Sequence, residues 1–359
     1  MDKSHYVMLM YLIMHLGLIF FMYPENIIAS TDAVHWIAIV SGLAVQFIFI
    51  AIYMKGLNFF PGKDIIAIYG SAGLGVSLVF LVPIVLYFLM INIITVRAYS
   101  EIISIVFLAN TPLWAIMILL MLVSTYIAAK GVETIFRTGL LLGLLFLPMI
   151  LLIFLASFQN VDWNYVFPLY ENDFTFWTRP TFYQSFFAFA GSFLFLGFVR
   201  THFPYKDNKV YLTVLSLVPF FIFSVYVPVL TFGQNTASTL HFPYVVVIDT
   251  LQINWLIFDR ITMFFLFTLI TFIMLFTSLI LWMTSRIVSC CKPSIKQMYY
   301  TQGLAVVIYI LCLLVPDWKK VETLFTWNAP LRFYCLIAIP LSVYYLGLRS
   351  RRKMRHEHA

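Results

Sequence analysis

Apolar runs of about twenty residues recur from one end of the 359-residue chain to the other. That is the length of helix needed to cross the ~30 Å hydrocarbon core of a bilayer. The runs are continuous rather than alternating, which argues against an outer-membrane barrel. Hydrophobic residues make up 62% and charged residues 10%, mean hydropathy is +0.95, and no polar stretch is long enough for a soluble domain. The expectation is an all-α polytopic membrane protein in which residues 1–359 form a single domain.

Ten spans are expected, at roughly 6–29, 33–55, 72–96, 112–129, 138–157, 181–199, 210–232, 257–285, 299–316 and 329–348. The apolar stretch from Ile102 to Ala109 continues the third as helix. Turn signals such as Pro61-Gly62-Lys63 and Asn110-Thr111-Pro112 fall between spans. With both termini cytoplasmic, sixteen of the 22 Lys and Arg residues fall on the inner side, the tail from Arg349 to Arg355 included. One span more or fewer would scramble that alternation. The first run has no small-x-small cleavage site after it and is expected to be retained. The formal charge of +7 follows from this topology and signals no nucleic acid. The four cysteines lack metal-ligand spacing. No paired carboxylates at mid-membrane, phosphate loop or metal cluster is legible, so neither enzyme activity nor a cofactor is expected.

The first span carries Gly17 near its middle and Pro24 near its end. Gly costs about 1 kcal/mol in a helix interior and Pro about 3. In lipid, a freed backbone group must be satisfied by protein or water, so a broken helix belongs beside a cavity. Such breaks hold the ligand in many secondary transporters. Ten spans divide into five and five of opposite orientation, and the second half opens with Gly191, followed by Gly197 and Pro204. Paired glycine-interrupted spans point to a transporter-type site between two inverted repeats. Gly191 is the more central choice for the second break, with Gly197 as the alternative.

Spans three to five add Tyr87, Arg97 with Glu101, Thr111-Pro112, Gly131, Arg137 and Pro168 in order. Together with Gly17, Pro24, the Phe59-Phe60-Pro61-Gly62-Lys63 turn and Phe242-Pro243 before Asp259-Arg260, this order resembles the spore germination receptor B subunits. Those endospore permeases are related to the amino acid–polyamine–organocation transporters. The resemblance covers the chain end to end. It implies a transporter (APC/LeuT-like) fold with helices one and six broken. It implies residence in the inner membrane of a spore, and work with an A subunit and a lipoprotein C subunit. It also implies binding of a small nutrient, often an amino acid. Two departures make the cavity less polar: Ile19 stands where the family often has a second glycine, and Ser192-Phe193 where an acidic residue often follows.

By transporter analogy the ligand lies beside Gly17 and Gly191, enclosed by spans one, three, six and eight. Candidate contacts are Tyr87 and Ile91 on span three, Ser192 after the second break, and Phe276 with Thr277 on span eight. Half-helix N–H groups would serve a carboxylate without an arginine. His15, one turn before the glycine, is the nearest titratable group; it either contacts a ligand or packs in the bundle. Arg97 with Glu101, and Glu133 with Arg137, are i, i+4 pairs near span ends, read either as structural pairs or as functional charges. No charged residue falls clearly in the middle of a span. Three functions stay open: a ligand-sensing receptor subunit, an active amino-acid transporter, and a structural subunit whose cavity is plugged by aromatics.

Overall fold

The computed structural model describes residues 3–168, 174–251 and 261–357. Asp259-Arg260, and with them the start of span eight, lie outside the described residues. The first span is two helices, α1 (Ser4–Ile19) and α2 (Tyr23–Ser30), whose axes bend by 54°. Span two is α3 (His35–Asn58). Span three is α5 (Leu74–Val106), preceded by the short α4 (Ile65–Ala72), whose N-terminus is capped by Asp64 on the Ala67 N–H at 2.8 Å. The expected helical continuation from Ile102 is present as far as Val106 and stops short of Ala109. Spans four and five are α6 (Leu113–Ala129) and α7 (Val132–Ala156). They join at Gly131, whose φ of 92° only glycine adopts cheaply.

Span six runs over Pro180–Val199 and is broken: α8 (Pro180–Ser185), a 3₁₀ turn, a non-helical stretch at 189–191, a second 3₁₀ turn, then α9 (Phe195–Val199). Span seven is α10 (Asp207–Phe232), followed by the short helices α11 (Gln234–Ala237) and α12 (Pro243–Asp249). Spans eight and nine are α13 (Ile261–Ser289) and α14 (Gln297–Leu313). The amphipathic α15 (Trp318–Trp327) leads to span ten. There α16 (Ala329–Phe333), a π-helical turn at Tyr334–Ala338 and α17 (Ile339–Glu357) are continuous. Counting the bent pair as one span, eight spans pass on length and apolarity, and α6 and α14, at 17 residues each, complete the ten.

The packing repeats itself with the halves exchanged. Span three touches spans four, eight and nine, and span eight touches spans three, four and nine. Span one packs on spans seven and eight. Span six meets span two through Tyr53, whose hydroxyl donates to the Leu194 carbonyl at 3.2 Å. The broken helices lie at the centre of this arrangement.

Two tethers hold the broken helices together at opposite ends. At one end, the Lys3 N–H donates to the Pro204 carbonyl at 3.2 Å and the Lys206 N–H to Ser4 Oγ at 2.9 Å. At the other end, Arg179, just before α8, pairs with Asp32, just after α2. Hydrogen bonding from the Arg179 guanidinium holds the Asp32 carboxyl below the usual carboxylate range. A carboxyl lowered in the folded state stabilises it above its unfolded pKa, and this contribution fades as pH falls through the folded value. The Arg179–Asp32 tether is therefore formed at neutral pH and released by acid.

Candidate functional site

The break in span one falls at Phe20–Met22, one turn beyond Gly17. This corrects the expectation that the glycine itself interrupts the helix. Gly17 is helical, and its role is close approach: a Cβ there would stand 3.1 Å from Ile273 Cδ1 and 3.4 Å from Phe272 Cβ on span eight. Its carbonyl accepts from the Tyr99 hydroxyl of span three. Pro24 sits in the first turn of α2, where its missing N–H is harmless.

The break in span six includes Gly191, not Gly197. Gly197 lies in α9 against the Tyr53 hydroxyl. Gly191 lies against the Tyr87 ring, and a Cβ there would overlap it. The next residue, Ser192, places Oγ 2.8 Å from His15 Nε2 and 3.1 Å from the Phe189 carbonyl. The His15 Nδ1 is 2.8 Å from the Tyr11 carbonyl, which can only accept, so the hydrogen is on Nδ1. In the neutral ring Nε2 is then an acceptor, and the single Ser192 hydroxyl hydrogen is shared between it and the Phe189 carbonyl. Gln46 of span two approaches the same nitrogen at 3.4 Å and the Tyr11 hydroxyl at 3.3 Å. One polar cluster thus joins spans one, two and six at the two breaks.

Span three supplies the other wall. Phe88 touches Phe198 of α9 and Tyr99 reaches Gly17, so the face 88, 92, 95, 99 looks at both broken helices. Asn92 and Thr95 sit on that face. Both polar atoms of Asn92, the Thr95 hydroxyl, the Tyr87 hydroxyl, the Thr277 hydroxyl of span eight and Gln46 Oε1 are buried without a hydrogen-bond partner. A native structure leaves few such atoms unpaired. All six are neutral donors or acceptors; Tyr87 lies against Gly191, and Gln46 approaches the His15 nitrogen that Ser192 meets. Ile91 and Phe276 are buried beside them on the same two helices. Phe276 lies one turn from the Phe272–Ile273 pair that faces Gly17. The proposed ligand contacts are each at most 1% exposed where they carry a side chain, so the centre is closed in this conformation.

The side toward α12 is covered as well. Phe242 leads α12 at a φ of 54°, an uncommon conformation for a bulky residue. Its ring stacks on Phe21 in the first break at 5.2 Å. Its N–H donates to Glu25 at 3.3 Å, and His241 lies 3.0 Å from the same carboxylate.

Two buried arginines flank the centre. Arg97 pairs with Glu101 and donates to the Val315 carbonyl at 2.9 Å and the Pro316 carbonyl at 3.2 Å, just past the C-terminus of α14. This is the structural reading of that pair. The Glu133–Arg137 pair forms at 3.5 Å on the surface. Arg332 is 0% exposed and has no carboxylate partner among the described residues. It donates to the carbonyls of Tyr183, Gln184 and Phe325 at 2.9–3.1 Å and to Asn328 Oδ1 at 3.3 Å. It therefore clamps the C-terminal end of α8, the first half of span six, to α15 and span ten. Arg332→Leu strands four acceptors, of which Asn328 Oδ1 and the Phe325 carbonyl are in buried bonds worth about 1–3 kcal/mol each. The expected result is loss of several kcal/mol, seen as a fall in the unfolding midpoint of purified protein, with Arg332→Lys recovering little. An unchanged midpoint would exclude the clamp.

Sequence reading missed Asn92, Thr95, Gln46 and Arg332. The first three are polar but uncharged, and only charges mark a span interior clearly. Arg332 follows Pro330 at the very start of the last apolar run, where it reads as a topology charge.

Two broken helices at the centre of exchanged repeats define a ten-helix fold of the amino acid–polyamine–organocation, LeuT-like type. The crystal structure of MhsT in complex with L-phenylalanine matches it at a TM-score of 0.63, over 94% of this chain and 87% of that one, with 12% identity. At that identity the likeness establishes fold alone. A sequence model of spore germination proteins matches residues 3–320, and the chain belongs to that family. No curated protein sequence matches significantly.

Proposed function

We propose that this chain is the B subunit of a nutrient germinant receptor. It binds a small nutrient, an amino acid, between the two helix breaks and signals through a change of conformation. The ring of unpartnered neutral polar atoms around the paired breaks carries this reading. Tyr87, Asn92, Thr95 and Thr277 offer hydrogen bonds to a polar ligand; Ile91 and Phe276 would size its side chain; Gly17, Gly191 and Ser192 frame the breaks. A nearest model for the ligand is the amino acid held by MhsT.

Signalling is favoured over accumulation. Among the described residues, Asp64 is the one carboxylate residue in the buried class, and it caps α4 at the cytoplasmic end and pairs with Arg286 at 2.6 Å. The described centre thus offers no proton-carrying carboxylate. A ligand shifts a conformational equilibrium by its differential affinity for the two states, so a rocking broken-helix bundle can serve as a switch without completing transport. The partners in this reading are an A subunit and a lipoprotein C subunit. The setting is the inner membrane of the spore, with both termini cytoplasmic.

The test is the isolated subunit in sealed vesicles with its triggering nutrient. Saturable binding without concentration inside is expected, and nutrient-triggered germination should need the cognate A and C subunits. Gradient-driven accumulation would favour an active amino-acid transporter, the second reading that this fold allows. A full response without the other subunits would remove the receptor complex.

A further inference from the structure

A second site lies on the membrane-facing side of the bundle, away from the helix breaks. Spans four and nine line a groove of about 550 Å³. On α6 it runs from Ile118 to Ala129, and on α14 from Met298 to Tyr309. Each stretch advances eleven residues, or ~16 Å at 1.5 Å per residue. That is about half the ~30 Å hydrocarbon core, the depth of one leaflet. The outer end is bridged by the Tyr309 hydroxyl, which donates to the Trp114 carbonyl at 3.3 Å. The groove is therefore closed toward the outer leaflet.

Its chemistry changes with depth. At the cytoplasmic mouth stands Lys130, exposed, its ammonium 5.4 Å from the centre of the Tyr126 ring and without a carboxylate partner among the described residues. About one helical turn deeper, four residues from Ala129 and from Met298, lie Thr125 and Gln302. The Thr125 hydroxyl is buried and unpartnered, and Gln302 is an exposed amide on a face that otherwise meets lipid. Unpaired polar groups are costly in hydrocarbon. Deeper still the walls are apolar, with Leu122, Ile118 and Val306.

We propose that this groove binds a phospholipid of the cytoplasmic leaflet with an anionic headgroup. The phosphate sits on Lys130, the glycerol esters accept from Gln302 and Thr125, and one acyl chain fills the apolar part. The order of cation, hydrogen-bond donors and apolar wall along the groove matches the order of groups in such a lipid. A transmembrane helix of a partner fits less well, because it would need a contact running the full depth of the bilayer.

The experiment uses the full chain purified in neutral detergent. It is mixed with phosphatidylglycerol or phosphatidylcholine of equal chain length, and retained lipid is counted by native mass spectrometry. Phosphatidylglycerol should be retained about fivefold more strongly, the size of one lysine's contact with an anionic lipid. Lys130→Glu should reduce it to the phosphatidylcholine level. Ala305→Trp, which fills the groove, should release both. Equal retention by the wild type, or a preference that survives Lys130→Glu, would overturn the proposal. So would competition by free glycerol phosphate as effective as that by the lipid. In spore membranes, a photoreactive side chain at Val306 should attach to lipid; attachment to a polypeptide would assign the groove to a partner helix instead.

Discussion

Gly191→Ala is expected to destabilise the protein by about 1–3 kcal/mol, the usual range for overpacking, and to blunt the nutrient response by one to two orders of magnitude. A Cβ at this position overlaps the Tyr87 ring. The backbone φ is −116°, open to any residue, so the clash is with the tyrosine alone. The double variant Gly191→Ala, Tyr87→Ala should then lose about 1–2 kcal/mol less than the sum of the single variants, because the ring that blocks the Cβ is gone. Its nutrient response should stay weak, since the unpartnered Tyr87 hydroxyl has gone too. Unfolding midpoints and germination dose–response curves separate the two effects. Additive stabilities would contradict the contact, and a full response in the double variant would remove Tyr87 from the site.

Asn92→Leu should move stability and function in opposite directions. Both polar atoms of this amide are buried without a partner, and a group so placed costs about 1–3 kcal/mol. Leucine has the same branched shape, though larger terminal groups, and no unpaired polar atoms; where the added methyl volume is accommodated, the ligand-free protein should unfold at a higher temperature. If the amide is held ready for a ligand, the same change should weaken nutrient binding about tenfold. Thermal unfolding with and without nutrient measures both. A variant that is more stable and equally responsive would assign Asn92 to packing.

Much of this architecture is readable from the residues. Apolar length and the placement of Lys and Arg give the spans, because a bilayer fixes helix length and punishes misplaced charge. Gly17 with Pro24, and Gly191 with Pro204, mark the two spans that are broken. The position of the first break is less legible. A glycine lowers helix stability by about 1 kcal/mol, which tertiary packing overrides when the glycine lets a neighbouring helix come close, as span eight does at Gly17. Span five begins at Val132 rather than near residue 138, since the charged turn that holds the expected Glu133–Arg137 i, i+4 pair lies outside the apolar run but is part of the helix. Asn92 and Thr95 are single polar residues in an apolar run, and only the contacts of Phe88 and Tyr99 show which way their face looks. The partners of Arg332 come from segments up to 149 residues away in sequence, beyond the reach of local pattern.

The claim that matters most is that the triggering nutrient sits between the two helix breaks. Ser192 lies there, 1% exposed and 2.8 Å from His15. With Cys290, Cys291, Cys312 and Cys335 replaced, Ser192→Cys gives one thiol at the site. The measurement is its rate of modification by a small membrane-permeant thiol reagent as nutrient is added. The rate should fall with nutrient over the same concentration range that triggers germination. A rate that stays constant while the nutrient still triggers the response would place the binding site elsewhere.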